Sequence, residues 1–389
     1  MTDAMTDTRP LVYLIAGEPS GDRLGAGLMA ALKAETGGAI DFTGIGGPAM
    51  QAEGLESLFP MSDLAVMGVA EVVPRLLQLL RRIREAVADA RRKKPSVMVT
   101  IDSPDFSFRV AKQLKGQGFP LVHYVAPSVW AWRPGRARKI ARFLDHVLCL
   151  LPFEPDYFTV EGLDATFIGH PVVDAGGRGD GAAFRARHGI AADAPLMLML
   201  PGSRHSETSR LLPVFADTVA RLAEQFPGLA VATPTVATVA DAVRAAVDRW
   251  PVAVNVVEGD DEKWDAMAAA GAALAASGTV ALELAVAGCP SVIAYRLSPA
   301  SALFARRIIG VDYVNLVNLT LDRPAVPELL LEDCRSQKLV PAMAELLGNE
   351  AAREAQRQAY QQALAALGRD GASPSTRAAR AVLGVLGNA

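Results

Sequence analysis

Cysteine, long apolar runs and an excess of one charge are all scarce in this chain of 389 residues, whose net charge is −3. Its three cysteines lie far apart, so they fit neither a disulfide framework nor a zinc site and predict a reducing compartment. No apolar run reaches the roughly 20 residues of a membrane span, and the run after Pro10 is too short for a secretory signal. We therefore expect a globular cytoplasmic protein of roughly two to three domains.

The small net charge conceals a strongly basic region. Residues 75–142 hold 16 Lys and Arg against four acidic side chains. Because no nucleic-acid-binding motif accompanies them, an anionic lipid surface is the preferred partner, and nucleic acid is not expected. The segment 64–82 is apolar and then turns basic, which is typical of an element lying in a membrane surface, although a buried helix fits the same pattern. The predicted membrane contacts are Val66, Met67, Val69, Val72, Val73 and Leu76.

Short apolar runs alternate with helical patterns over most of the chain, which predicts an α/β fold with parallel sheets covered by helices on both faces. Helices are expected at 23–35 and 76–92, among others, and the chain beyond Glu328 is expected to be helical. The strands are expected at 11–16, 41–44, 96–101, 121–124, 146–151 and 165–168, and then at 196–200, 229–233, 252–257, 272–276 and 291–295.

The glycine-rich stretch 174–181 predicts a domain boundary. On this division, two doubly wound, Rossmann-like domains span residues 1–175 and 183–345. The carboxyl ends of both sheets would line a cleft between these domains, because ligands of such folds bind at that edge. Helices over residues 346–389 are expected to pack back on the first domain or on a partner subunit.

The most informative segment begins after the expected strand at 272–276. The turn Ser277-Gly278-Thr279 leads into a short apolar helix that Gly288 ends. Free backbone N–H groups, hydroxyls and the positive end of a helix dipole suit a phosphate or diphosphate. Glu283, one helical turn after Thr279, is placed to accept hydrogen bonds from ribose hydroxyls. We interpret the segment as a nucleotide-diphosphate site, to which Arg204 could add a charge-assisted contact; a capped helix with a solvated Glu is the alternative.

In the first half, Asp102 ends an expected buried strand, where the catalytic groups of α/β proteins collect. Pro104 can occupy the first position of the next helix, which would make Ser103 the cap and leave Asp102 free for chemistry. The alternative is that Asp102 or Asp105 only caps this helix. The sequence therefore offers Asp102 as the candidate catalytic group and Asp105 as the more structural one.

Two further motifs of the first half have less specific interpretations. The glycine-rich stretch 17–27 permits a close turn from strand to helix, whereas the match of 44–49 to a dinucleotide fingerprint is weak. Trp130 and Trp132 stand beside a basic run, which is typical of a membrane interface but also of a buried aromatic pair. Both interpretations of the tryptophans stay open.

Polar residues of the later motifs also keep two interpretations. His170 could line a cleft or cap a turn. Of Asn315 and Asn318, one could reach the cleft while the other satisfies backbone groups. The acidic triplet 260–262 is interpreted as part of a solvated polar loop and not as a metal site.

Taken in order, these motifs resemble one family, the lipid-A-disaccharide synthases, which are inverting glycosyltransferases with a GT-B fold. The resemblance runs from about residue 11 to residue 330, and the ordered set is far more specific than any single motif. One departure is Pro19, where the family more often has a small residue. The matching segments are 16–22, 44–48, 63–71, 101–106, 127–132, 167–171, 200–204, 277–283 and 314–318.

The resemblance implies a reaction and its partners. UDP-2,3-diacylglucosamine donates its sugar to the 6-hydroxyl of 2,3-diacylglucosamine 1-phosphate (lipid X), which gives the β-linked lipid A disaccharide 1-phosphate and UDP. No cofactor and no metal is implied, because helix N-termini and Arg204 would stabilise the departing UDP. The enzyme would bind the inner face of the cytoplasmic membrane, where both acylated substrates reside, and a homodimer stays open.

The resemblance also implies residue roles, with Asp102 as the general base for the acceptor hydroxyl. UDP is expected to contact Arg204, Ser277, Gly278, Thr279, Glu283 and Asn315. The acceptor side of the cleft is expected to include Glu18, Ser20, Gly21, Asp22, Ser128, Trp130 and His170. Two other functions stay open: a GT-B enzyme that uses UDP-N-acetylglucosamine, as an epimerase or lipid glycosyltransferase, and a non-catalytic lipid-binding module.

Overall fold

In the computed structural model, which describes residues 9–64, 72–132, 135–175, 179–297 and 312–387, strands and helices alternate along the chain as predicted. The described strands form two six-stranded sheets, and their pairings are parallel. Each sheet belongs to its own unit. The first unit consists of Met1–Pro171 and Asp370–Ala389, and the second of Val172–Arg369.

The first unit is a sheet with helices on both faces. Its strands are β1 (Leu11–Ala16), β2 (Asp41–Ile45), β3 (Val97–Ile101), β4 (Leu121–Tyr124), β5 (His146–Cys149) and β6 (Asp164–Phe167). Its described helices are α1 (Pro19–Glu35), α2 (Pro48–Ala52), α3 (Val72–Lys93), α4 (Pro104–Leu114), α5 (Val129–Trp132), α6 (Gly135–Ala141), α7 (Glu154–Thr159) and, from the end of the chain, α16 (Pro374–Gly387). The strand order is β2-β1-β3-β4-β5-β6.

Sequence patterning explains how these helices cover the sheet. β3 is buried along its whole length, as expected of a parallel strand between two helical layers. On one face, α3 turns Ile83, Val87 and Ala90 into the core at helical spacing. On the other face, α1 packs against α16, and Leu28 and Val382 share a second apolar cluster. The sheet therefore has a core on each side.

The second unit repeats this architecture. Its strands are β7 (Leu196–Leu200), β8 (Ala230–Thr235), β9 (Val254–Glu258), β10 (Ala272–Ala276), β11 (Ser291–Tyr295) and β12 (Glu328–Leu330). Its described helices are α8 (Gly181–Arg187), α9 (His205–Gln225), α10 (Ala240–Val247), α11 (Asp260–Ala269), α12 (Val280–Ala287), α13 (Leu316–Leu321), α14 (Ser336–Gly348) and α15 (Glu350–Ala366). The order β12-β11-β10-β7-β8-β9 places β7 and β10 side by side at the centre.

The structure corrects the expectation that the chain beyond Glu328 is helical. Glu328–Leu330 forms β12, which pairs with β11 at the sheet edge. A strand this short shows no alternating pattern, so the sequence did not reveal it. The later helices also divide, because α14 and α15 belong to the second unit whereas α16 joins the first and packs against α1.

The predicted membrane contacts lie only partly within the described residues. Three of them lie outside these ranges, namely Val66, Met67 and Val69. The other three belong to the first turns of α3, namely Val72, Val73 and Leu76. Within the described ranges, no helix is both long enough and apolar enough to cross a membrane.

Candidate functional site

Backbone strain in the first unit is concentrated at the carboxyl ends of two neighbouring strands. Asp102 and Ser103, directly after β3, have φ values of +51° and +44°, and Val125, directly after β4, has +79°. The left-handed region is unfavourable for residues other than glycine and most of all for a β-branched one. Each such residue costs roughly 1–3 kcal/mol, and strain of this kind clusters at functional sites. The carboxyl ends of β3 and β4 therefore form a candidate active site.

Two hydrogen bonds hold the backbone of Asp102. Its N–H donates to the Tyr124 carbonyl at 2.9 Å, and its own carbonyl accepts from the Ser107 hydroxyl at 2.9 Å. The half-buried carboxyl has no hydrogen bond to any described residue and does not cap α4. Ser103 occupies the cap position, as predicted, although its hydroxyl makes no capping bond. Among the described residues, the Asp102 carboxyl therefore has no structural partner.

The turn between β1 and α1 lies against the Asp102 segment. A Cβ on Gly17 would come within 2.7 Å of the Ser103 Oγ, so only glycine allows this approach. α1 begins at Pro19, four residues before the predicted start, because the ring of proline fits the first helical position. Glu18 and Ser20 are exposed there, whereas Gly21 is buried. The structure thus brings two of the predicted acceptor residues to the surface beside Asp102.

Asp22 has a structural task that the sequence did not reveal. Its buried carboxyl accepts three backbone N–H groups, from Gly47, Ala49 and Met50, at 2.8–3.0 Å. These bonds satisfy the open N-terminus of α2 and tie the glycine-rich segment after β2 to α1. Both carboxyl oxygens of Asp22 therefore accept hydrogen bonds within the fold, and this cap accounts for a buried carboxylate here without a contact to an acceptor.

Trp130 is anchored by a residue that the sequence analysis missed. Its indole N–H donates to Glu154 Oε1 at 3.1 Å, and its ring meets Phe153 edge to face at 5.4 Å between centroids. Trp130 is half-buried, so its exposure lies between that of a buried aromatic pair and that of a residue at a membrane interface. Ser128, two residues earlier, is exposed. A lone Glu in the apolar stretch after β5 was the signal that could have identified Glu154.

His170 follows β6 at the same edge of the sheet. Burial lowers its pKa to about 4, so the imidazole is neutral at physiological pH. A neutral imidazole can donate or accept a hydrogen bond but adds no positive charge. His170 is therefore suited to a polar contact with a sugar and not to the neutralisation of a phosphate.

From Leu77 onward, where its side chains are described, α3 has a basic outer face that begins with a large exposed apolar residue. The side chain of Leu77 is 68% exposed. Arg81 and Arg84 follow on the same face, and both are exposed. Arg109 and Lys112 are exposed on the adjacent helix α4. This part of the first unit therefore presents positive charge next to an apolar side chain.

In the second unit, Glu207 accepts hydrogen bonds from the loop after β7, and the sequence analysis missed this residue. Glu207 accepts from the Ser203 N–H at 3.2 Å and from Arg204 Nη1 at 3.1 Å. Gly202 has φ +103°, and a Cβ there would come within 2.5 Å of the Glu207 carboxyl. The Arg204 side chain is 75% exposed, so it can swing toward an anion beyond the edge of the sheet.

The Ser277-Gly278-Thr279 turn lies at the adjacent strand end, as predicted. β10 ends at Ala276, and Gly278 and Thr279 are exposed where α12 begins. Gly288 ends α12 in the left-handed conformation, with φ +67°. Because β7 and β10 pair side by side, this turn and the Arg204 loop follow neighbouring strands of one sheet. This arrangement suits a diphosphate.

Glu283 is paired rather than solvated. Its Oε1 lies 3.1 Å from Lys263 Nζ, which α11 supplies. The two side chains are 28% and 23% exposed, so the pair is partly shielded from water. Lys263 directly follows the acidic triplet 260–262, which opens α11 and is not the polar loop that the sequence analysis predicted. Within the triplet, Glu262 binds Arg187 and His188.

The structure distinguishes the two asparagines that the sequence left open. Asn318 uses both ends of its amide: its Oδ1 accepts from the Val326 N–H and its Nδ2 donates to the Val326 carbonyl and Glu328. Asn315 caps α13 through Oδ1, whereas its buried Nδ2 has no partner among the described residues. Asn315 is therefore the one with a donor still to be satisfied, although it is only 1% exposed.

Comparisons with known proteins agree with this architecture. The family model described as lipid-A-disaccharide synthetase matches residues 12–382. Lipid-A-disaccharide synthase from Rhodospirillum centenum is 54% identical over 379 residues, which cover 97% of this chain and 94% of that protein. The protein of the same name from Paramagnetospirillum magneticum is 54% identical over 378 residues, which cover 96% of this chain and 97% of that protein.

A solved structure shows the same fold at low identity. UDP-GlcNAc 2-epimerase from Neisseria meningitidis, bound to UDP-GlcNAc, matches with a TM-score of 0.64 at 11% identity, over 97% of this chain and 100% of that one. The likeness to this structure, together with the two parallel six-stranded sheets of this chain, confirms the predicted GT-B class of fold. At this identity the likeness concerns the fold alone.

Proposed function

Because the chain belongs to the lipid-A-disaccharide synthase family, we propose that its second unit binds the UDP part of the sugar donor and its first unit the lipid acceptor. As a member of this family, the protein is a glycosyltransferase that forms the lipid A disaccharide. The proposed donor is UDP-2,3-diacylglucosamine, and the proposed acceptor is 2,3-diacylglucosamine 1-phosphate. The observation that carries the placement of the reaction in the first unit is the Asp102 carboxyl, which lies at a strained strand end and has no partner among the described residues.

Asp102 is the proposed general base. Its carboxylate takes the proton of the acceptor 6-hydroxyl while the hydroxyl oxygen attacks the anomeric carbon of the donor. The bond from that carbon to the diphosphate breaks, and UDP leaves with the electron pair, so the configuration at the carbon inverts. General base catalysis of this kind contributes roughly 10²- to 10⁴-fold to the rate. The two hydrogen bonds to the Asp102 backbone support the role, because they fix the point from which the carboxylate extends toward the acceptor.

The donor site is proposed at the ends of β7 and β10. The Ser277-Gly278-Thr279 turn offers N–H groups and hydroxyls to the diphosphate, and the exposed Arg204 guanidinium adds positive charge. Glu283 would accept from the ribose hydroxyls, with its carboxylate already oriented by Lys263. The Asn315 Nδ2, which has no partner among the described residues, supports a contact from the start of α13. These groups would stabilise the charge that develops on UDP as it leaves.

The first unit is proposed to bind the inner face of the cytoplasmic membrane. The exposed Leu77 and the basic face of α3 and α4 support this docking, because apolar insertion and attraction to anionic headgroups act together in peripheral proteins. Each Lys or Arg near an anionic surface contributes about 1 kcal/mol. The predicted contacts 66–76 directly precede this face in the chain, so both would meet the bilayer together.

A substrate comparison tests this function. Purified protein should release UDP from UDP-2,3-diacylglucosamine only when 2,3-diacylglucosamine 1-phosphate is present, and mass spectrometry should detect the disaccharide 1-phosphate. UDP-N-acetylglucosamine in place of the acylated donor should give no turnover and no 2-epimer. Efficient turnover of the non-acylated sugar nucleotide would favour the other GT-B function. Lipid binding without release of UDP from any donor would favour the non-catalytic module.

A further inference from the structure

Three carboxylates with buried side chains occur in the described part of the first unit, and two of them, Asp22 and Glu154, form no ion pair with a described cation. Asp22 caps α2, and Asp89 binds Lys93 and the hydroxyl of Tyr13. Glu154 is 3% exposed, and no Lys, Arg or His of the described ranges forms an ion pair with it. Its partners are the N–H groups of Trp130, Leu150 and Leu151. Glu154 differs from Asp22 in that one of its three donors is the side chain of a proposed acceptor residue, Trp130, whereas the donors to Asp22 are all backbone groups.

The burial of Glu154 shifts its protonation equilibrium. Burial raises the pKa of Glu154 to about 7, while the three N–H donors act in the opposite direction and favour the ionised form. A glutamine in this place would keep only one acceptor oxygen and would turn an NH₂ group toward N–H donors. An apolar side chain would leave the donors unsatisfied. The surroundings therefore select a carboxylate.

The bonds of Glu154 connect the Trp130 indole to the end of β5. Oε2 accepts from the N–H groups of Leu150 and Leu151, both at 3.0 Å, which fixes the plane of the carboxyl relative to the sheet. Oε1 then receives the indole N–H at 3.1 Å, and the preceding Phe153 meets the ring edge to face. The indole is thus held by its polar edge and by its ring. Its remaining surface is half-exposed.

Resting on the proposed acceptor role of Trp130, we infer that Glu154 is a positioning residue, which sets the Trp130 indole, and with it the Ser128 segment, for binding of the acceptor. Glu154 itself is too buried to touch a substrate, so it acts through the indole. A side chain held at two places loses less conformational entropy when a ligand packs against it, which favours binding of the acceptor. Binding of UDP in the second unit does not depend on this contact.

A double-mutant cycle between Glu154→Gln and Trp130→Phe tests the inference. With 2,3-diacylglucosamine 1-phosphate as the varied substrate, Glu154→Gln should raise KM roughly tenfold, the usual effect of losing a charged hydrogen bond. Trp130→Phe should raise it to a similar extent. Because both changes break the same contact, the double variant should stay within about twofold of Trp130→Phe. The affinity for UDP should be unchanged in all three.

Asp89→Asn is the matched control, because Asp89 is also a buried carboxyl of the first unit but contacts no proposed site residue. It should lower Tm without changing KM for the acceptor. Should Glu154→Gln not fold, Glu154→Asp keeps the charge and allows the same cycle. The inference would be overturned if Glu154→Gln raised KM by the same factor in the wild-type and Trp130→Phe backgrounds. It would also be overturned if Glu154→Gln lowered Tm without changing KM. An unchanged KM in Trp130→Phe would overturn the acceptor role of Trp130 itself.

Discussion

The ion pair of Glu283 with Lys263 gives the most quantitative prediction for the donor site. The carboxylate lies 3.1 Å from the ammonium, with 28% of the Glu283 side chain and 23% of the Lys263 side chain exposed. If Glu283 accepts a hydrogen bond from the ribose, Glu283→Ala removes a bond to a charged group, which is worth roughly 1.5–3 kcal/mol. The Kd for UDP, measured by calorimetry, should therefore rise by roughly 10- to 150-fold.

Lys263→Met should have a smaller effect in the same direction. The variant keeps the ribose acceptor but frees its side chain, and ordering one such side chain costs roughly 0.5–1.5 kcal/mol. The Kd for UDP should rise by roughly 2- to 12-fold. Tighter binding in Lys263→Met would refute this reasoning, because it would show that the lysine competes with the nucleotide for Glu283.

A matched pair in the first unit provides the control. Lys33 lies 2.8 Å from Glu53, and these side chains are 38% and 34% exposed. Glu53→Ala removes a comparable ion pair far along the chain from the proposed donor site, so the Kd for UDP should not change. Equal weakening in Glu53→Ala and Glu283→Ala would indicate a general effect on folding and would remove Glu283 from the site.

The remaining predictions concern the donor site, the membrane face and a buried histidine. Arg204→Ala should raise the Kd for UDP, whereas excess chelator should leave turnover intact; loss of turnover that magnesium restores would contradict the metal-independent reaction. Binding of the protein to anionic vesicles should weaken with salt. It should weaken further when residues 66, 67, 69 and 72 are replaced by Ser, while the affinity for UDP stays unchanged. A wild-type protein that does not bind vesicles would contradict the proposed docking face. Burial lowers the pKa of His123 from 6.5 to about 3. The unfolded state therefore binds more protons than the folded state below pH 6.5, so the urea midpoint of unfolding should fall as the pH drops below this value. In His123→Gln the urea midpoint should depend less steeply on pH. An unchanged dependence would contradict the role of the buried His123 in the pH dependence of stability.

The sequence predicted where the candidate site residues lie along the strands and helices more reliably than the contacts that they make. Asp102 and the turn at 277–279 could be placed because strand ends and helix starts follow from apolar patterning and from glycine and proline. The structure adds that the Asp102 backbone is strained, a property that no local pattern expresses. It also shows that the half-buried carboxyl does not cap α4.

The contacts that the sequence missed join segments that only the fold brings together. Glu154 meets Trp130 across 24 positions of sequence, and Lys263 meets Glu283 across 20. Lys263 was hidden because the adjacent acidic triplet indicated a solvated loop, whereas α11 turns it toward α12. The cap that Asp22 forms on α2 was also missed, because it depends on the pairing of β1 with β2. Local periodicity contains no information on such pairings.

The central claim is that Asp102 takes the proton of the acceptor hydroxyl, and one variant tests it most directly. Asp102→Asn keeps the size of the side chain but removes its basicity. Under saturating donor and acceptor, kcat should fall by at least about 10²-fold while the Kd for UDP changes by less than about twofold. Near-normal kcat in Asp102→Asn would contradict the account and would leave the strained end of β3 without a catalytic role.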